Sequence, residues 1–105
     1  AVAALWDCWS EGEEAEPLLS CTIVTTAAAE SFRPWHSRMP VMLSGAEQQQ
    51  WLDNERPVAP DDPLLRPALK EPLHLVPLDR AVGNARNKGA ELMASAGETV
   101  VLPAD

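Results

Sequence analysis

Tyrosine is absent from this chain of 105 residues, and phenylalanine occurs once, so four tryptophans (Trp6, Trp9, Trp35 and Trp51) carry nearly all of its aromatic mass. Basic residues are also scarce: eight Lys and Arg stand against sixteen Asp and Glu, for a net charge of −8. Affinity for nucleic acid comes largely from phosphates neutralised by Lys and Arg, so a non-specific DNA-coating protein is excluded. The two cysteines lie thirteen apart with no C-x-x-C, and the histidines are at 36 and 74, which fits no zinc spacing. No metal and no cofactor is therefore expected. Glycine-rich phosphate loops, internal repeats, a leader peptide and an apolar run long enough to span a bilayer are all missing. A cytoplasmic location without membrane contact follows as the expectation.

What is present bounds one small domain, thinly cored, because ten prolines punctuate the chain and apolar residues make up an ordinary 46%. The charge is uneven. Residues 1–30 hold Asp7, Glu11, Glu13, Glu14, Glu16 and Glu30 with no Lys or Arg, whereas residues 31–105 hold eight basic and ten acidic groups, or −2. The run Glu11–Pro17 reads as a solvated acidic loop between two β-rich stretches, Ala1–Trp9 and Leu18–Thr26. A short helix is expected from Ala27 to Phe32, capped by Thr25 or Thr26 and stopped by Pro34. A buried strand follows at Met39–Leu43. Ser44-Gly45-Ala46-Glu47 has the form of a capping box, which places a helix over Gly45–Leu52 with Trp51 on its packed face. Asp62 before Pro63 marks a brief helix over Pro63–Leu69, and Leu73–Leu78 reads as a strand carrying His74. Gly83, Asn84, Asn87 and Gly89 make Arg80–Leu92 a tight irregular loop. Cys8 and Cys21 would lie on neighbouring strands, either as buried free thiols or as a pair.

The stretch with most chemistry is Ser20–Pro40, SCTIVTTAAAESFRPWHSRMP. His36 stands between Trp35 and Arg38, which offers a proton carrier, a stacking face and a phosphate partner in one place. This string resembles the SRAP family (SOS-response-associated peptidase-like proteins), which reads C/F-x-I-V/I-T-T/A and, about ten residues on, H-x-R-M/R-P. Pro77–Leu92, PLDRAVGNARNKGAEL, is similar to the family's closing P-V-S-x-x-V-x-N-x-x-N-x-G-x-E-L.

The resemblance implies covalent sensing of abasic sites in single-stranded DNA during the DNA damage response, with self-removal of the initiator methionine as the peptidase activity. It makes His36 the acid/base residue. It puts Thr25 and Arg38 against DNA and leaves Asn84, Asn87 and Gly89 as loop supports; Trp35, where the family usually has an aliphatic residue, is expected at the DNA from its residue type as a stacking face. The bland readings are kept beside these: an ion pair of Arg38 with Glu30 or Asp79, a helix cap for Thr25, and a structural role for His74. The family's nucleophile is an N-terminal cysteine, which neither Cys8 nor Cys21 can replace. Residues 1–93 are therefore expected to be the C-terminal half of such a domain, inactive alone, with 94–105 a flexible tail. The expected fold is α+β, with short, mostly antiparallel strands in a partial barrel-like sheet and a few short helices. A non-catalytic acidic interaction module of the same fold is the alternative. Oligomeric state is left open.

Overall fold

A computed structural model describes residues 1–105. Its strands are β1 (Ala4–Trp9), β2 (Leu18–Ile23), β3 (Thr25–Ala27), β4 (Arg38–Pro40), β5 (Leu73–Leu75) and β6 (Val100–Leu102), with a single α-helix, α1 (Gly45–Leu52). Three 3₁₀ turns complete it, at Pro63–Leu65, Arg80–Gly83 and Ala90–Met93. Every ladder is antiparallel and two-stranded: β1–β2, β3–β4 and β5–β6. The expectation of short antiparallel strands with few helices holds. The sheets do not close into a barrel.

The chain forms two compact units, Ala1–Lys70 with Asp105, and Glu71–Ala104. In the first, the hairpin and the β3–β4 ladder meet where three backbones interlock. Ala3 donates to the Val41 carbonyl (2.9 Å), Val24 to that of Ala3 (3.0 Å), and Val41 to that of Val24 (2.9 Å). Around this junction Ala3, Val41, Leu43 and Leu64 form the core, with Val24, Trp51, Val58 and Leu65 packed against it. Helix α1 contributes the stripe Ser44, Glu47, Gln48 and Trp51, the partly buried positions at helical spacing. The Trp51 indole N–H is fixed by the Ala4 carbonyl at 3.1 Å.

Glu47 ties the helix start to the rest of the unit. One carboxylate oxygen accepts from the Ser44 backbone N–H (3.0 Å) and hydroxyl (2.9 Å). The other meets Lys70 Nζ at 3.1 Å and Arg66 Nη1 at 3.2 Å. Burial opposes ionisation of Glu47, but the Ser44 N–H and the Lys70 ammonium outweigh it and hold the carboxyl down at about 2.

Several local expectations give way. No helix forms at Ala27–Phe32. Ala27 instead ends β3, Ala28 donates to the Ser37 carbonyl, and the loop turns through Phe32→Ala29 and Arg33→Ala29 bonds. Pairing β3 with β4 satisfies backbone groups that a six-residue helix would leave mostly open. The strand expected at Met39–Leu43 is shifted to Arg38–Pro40, in register with Thr25–Ala27. Both cysteines are free and exposed rather than buried, and the β1–β2 register sets Cys8 opposite Leu19 and Cys21 opposite Trp6. The helix expected to Leu69 is a single 3₁₀ turn at Pro63–Leu65, with Asp62 accepting from the Leu64 N–H at 2.8 Å.

In the second unit, β5 pairs with β6 with Leu73 opposite Leu102, and Leu102 is its buried residue. Residues 94–105, expected as a flexible tail, thus carry a strand. The β-branched run Val100–Val101 supplies β5 with a hydrogen-bonding partner, and Leu78 bridges Ser95. Asp105 exchanges two bonds with the Leu69 backbone in the first unit.

Candidate functional site

Strand alternation sorts the β3–β4 ladder into two faces. Thr26 and Met39 point inward, with Met39 buried, while Thr25, Ala27 and Arg38 are exposed on the outside. Met39 also anchors the preceding loop, since its sulfur accepts from the Ala29 N–H at 3.2 Å. The Arg38 guanidinium lies on the outer face and donates through Nη2 to Thr25 Oγ1 at 2.9 Å. This bond replaces the ion pair entertained for Arg38. Thr25 caps no helix, because none follows it.

His36 lies two residues before Arg38 and is exposed. Its Nδ1 is 3.0 Å from both the backbone N–H and the carbonyl of Arg38. The backbone of one residue therefore presents a donor and an acceptor to a single ring nitrogen. A bare Nδ1 accepts from the N–H, and a protonated one donates to the carbonyl. Either way Nδ1 is satisfied and the ring is held, leaving Nε2 without a protein partner.

Trp35 flanks this pair on the loop side. Its ring packs on Phe32 with centroids 6.3 Å apart and planes inclined by 31°, and about half of the residue stays exposed. Four residues singled out in the sequence, Thr25, Trp35, His36 and Arg38, are thus gathered on one ladder and the loop leading into it. They form an open surface rather than a cleft. A cleft of about 450 Å³ in this unit is lined by Ala4, Leu5, Trp6, Trp51–Asn54, Pro57 and Val58, and His36 is not among them.

The other singled-out residues brace their own loop in the second unit. Asn84 Oδ1 accepts from the Arg86 N–H (3.0 Å), and Asn87 Nδ2 donates to the Ala81 carbonyl (2.9 Å). Gly89 has φ of +132°, a backbone conformation that residues with a side chain rarely adopt. Only glycine fits there. His74 sits between the partly buried Leu73 and Leu75 with its own side chain exposed. No group of His, Cys, Asp and Glu is placed to hold a metal ion. The Glu47–Lys70 pair was missed in the sequence. The capping box pointed to Glu47, but nothing in the local pattern marks Lys70 as its partner.

The family of this surface follows from comparison with known proteins. The profile of the SOS response associated peptidase (SRAP) family matches residues 1–85, and the chain belongs to that family. It is 34% identical over 95 residues to the abasic site processing protein YoaM of Bacillus subtilis, covering 89% of this chain and 41% of the relative. Against the abasic site processing protein HMCES of Gallus gallus it is 36% identical over 94 residues, covering 88% of this chain and 27% of the relative. The chain thus spans well under half the length of these relatives. No solved structure matches it significantly.

Proposed function

We propose that this chain supplies the histidine portion of a site that captures abasic single-stranded DNA, and that the reactive cysteine comes from polypeptide outside residues 1–105. The observation that carries the reading is the clamp on His36. Its Nδ1 is held by the Arg38 backbone N–H and carbonyl, and the residue is exposed on the side of the ladder that carries Arg38 and Thr25. The family match and the names of the relatives support DNA damage as the setting.

In this reading the imidazolium donates its Nε2 proton to the sugar ring oxygen as the C1–O bond breaks, and the anomeric hydroxyl gives its proton to water, leaving the aldehyde and a free hydroxyl. The Nδ1–H stays on the Arg38 carbonyl throughout. An N-terminal cysteine then condenses: one amine, one thiol and one aldehyde give one thiazolidine and one water, with no change in oxidation state. Arg38 offers its remaining donors to the phosphate next to the lesion while Thr25 orients the guanidinium. Trp35 gives the neighbouring base a surface to stack on. Asn84, Asn87 and Gly89 keep the closing loop in shape. The open β1–β2 and β3–β4 ladders belong, in the same proposal, to a barrel-like sheet completed by the additional polypeptide.

The test is a denaturing gel after incubation with single-stranded DNA carrying one abasic site. The 105-residue chain is expected to give no covalent band, and a shifted band would overturn the assignment of the nucleophile. In a longer protein that carries the cysteine, His36→Ala is expected to slow both formation and reversal of the crosslink by about 10²-fold. Unchanged rates would remove His36 from the mechanism.

A further inference from the structure

All the Lys and Arg of the second unit, Arg80, Arg86 and Lys88, fall within one loop. From Arg80 to Ala90 there are three bases and no acid, a local charge of +3 in a chain of −8. Each of the three is exposed. The ion pairs of the chain, Glu47 with Arg66 and with Lys70, lie in the first unit, so these cations have no carboxylate partner. Two acids border the loop. Asp79 is engaged in capping, its Oδ1 accepting from the Ala81 N–H at 2.9 Å, and Glu91 lies against Gly89.

The loop is braced from within. Asn87 donates through its N–H to the Asn84 carbonyl (2.9 Å) and through Nδ2 to the Ala81 carbonyl (2.9 Å). Asn84 Oδ1 in turn accepts from the Arg86 N–H at 3.0 Å. Residue 87 is thereby drawn alongside residue 81, so Arg80, Arg86 and Lys88 issue from one small closed loop rather than from an extended chain. Like charges gathered in this way repel each other unless a polyanion relieves them. Val82 is the one large apolar side chain from Arg80 to Ala90, so this is not a surface that another part of a core would cover. In the closing pattern P-V-S-x-x-V-x-N-x-x-N-x-G, Arg80, Arg86 and Lys88 all stand at unspecified positions, so the resemblance assigns them nothing.

We propose that the Arg80–Lys88 loop is a second phosphate-binding surface, which holds undamaged single-stranded DNA by its backbone. The second unit contains no aromatic residue, so nothing there stacks on a base and the contact is independent of sequence and of lesion. Three phosphate contacts make a weak surface, which adds to another contact rather than coating DNA. The choice of DNA among polyanions rests on the proposed function; the anion-binding character of the loop does not.

The probe is undamaged oligothymidylate of about ten nucleotides, titrated into the isotope-labelled full chain at low salt with amide chemical shifts as the readout. Shifts are expected at Asn84, Arg86, Lys88 and Gly89. The variant R80Q/R86Q/K88Q leaves the asparagine bonds of the loop in place. It is expected to bind at least about tenfold more weakly, with the slope of log affinity against log salt flattened by about 2. Shifts confined to Thr25–Arg38 would overturn the proposal and leave the histidine reading standing. Shifts at the loop and none at Thr25–Arg38 would support the loop and count against that reading. Absence of shifts at both, equal affinity of the triple variant, or loop shifts that require an abasic site would overturn the proposal. Shifts at Glu11–Glu16 and the loop that grow with protein concentration without DNA would overturn it too, in favour of a second copy.

Discussion

Replacing Glu47 by glutamine removes a charge from a site built around it. Lys70 is only 3% exposed, and its ammonium has two neighbours, the Glu47 carboxylate and the Leu64 carbonyl. The substitution keeps the shape and one carbonyl acceptor for the Ser44 N–H, but strands a buried ammonium. The carboxyl is lowered from 4.5 to about 2, which at about 1.4 kcal/mol per unit is roughly 3 kcal/mol at full weight. Glutamine keeps an acceptor for the Ser44 groups, and Glu47 itself is 16% exposed and partly screened, so about 2 kcal/mol is the expected loss for Glu47→Gln at pH 7.

The pH dependence has a definite sign. A carboxyl whose folded value lies below its unfolded one contributes fully above pH 4.5 and loses that contribution as pH falls towards 2. Urea unfolding of the full chain and of Glu47→Gln at pH 7 and at pH 3.5 isolates this group from the other acids. The gap between the two proteins should shrink by about 1 kcal/mol at the lower pH. Lys70→Met combined with Glu47→Gln should cost less than the sum of the singles. A loss under about 0.5 kcal/mol at pH 7, or a gap that stays constant with pH, would refute the reasoning.

Three further outcomes are expected. Gly89→Ala forces a side chain onto a positive-φ backbone, and should destabilise by about 1–2 kcal/mol in the same urea assay. Leu64→Ala opens a hole beside Ala3, Val41 and Leu43 and should cost about 3 kcal/mol, with a lower midpoint and an unchanged slope. Both Cys8 and Cys21 should react with a thiol reagent in the folded protein as fast as in urea; slow labelling of either would contradict their exposure.

Local signals were legible where the chain decides its own conformation. The span Gly45–Leu52 follows from Ser44 and Glu47, and the turn at Pro63 follows from Asp62, because those contacts lie within four residues. Alanine propensity misled at Ala27–Phe32. Six residues cannot nucleate a helix without packing, while Arg38–Pro40 offers Thr25–Ala27 a ready ladder. The strand at Val100–Leu102 was missed because its partner, Leu73–Leu75, lies twenty-five or more residues away. At the candidate site, the Thr25–Arg38 bond joins two residues of Ser20–Pro40 across the ladder. Residue types alone could not tell a guanidinium held by a hydroxyl from one held by a carboxylate.

The position of His36 depends on a short ladder rather than on a deep core. Strands β3 and β4 have three residues each, and a two-stranded ribbon of that length is marginal by itself. What fixes it is on its inner side: buried Met39, whose sulfur engages Ala29, and Val41, locked between Val24 and Ala3. The loop carrying Trp35 and His36 is closed by the Ala28 to Ser37 bond at its base. In the proposed function the His36 ring must meet a reacting atom closely, and such supports would supply that precision. On that proposal Met39 and Val41 act as positioning residues for His36, although neither touches the outer face. Shortening Met39 to alanine should loosen the His36 loop before it unfolds the first unit. Faster hydrogen exchange at Ala29 and Arg38 than at Val41 would record that order, and uniform acceleration would show that ladder and core melt together.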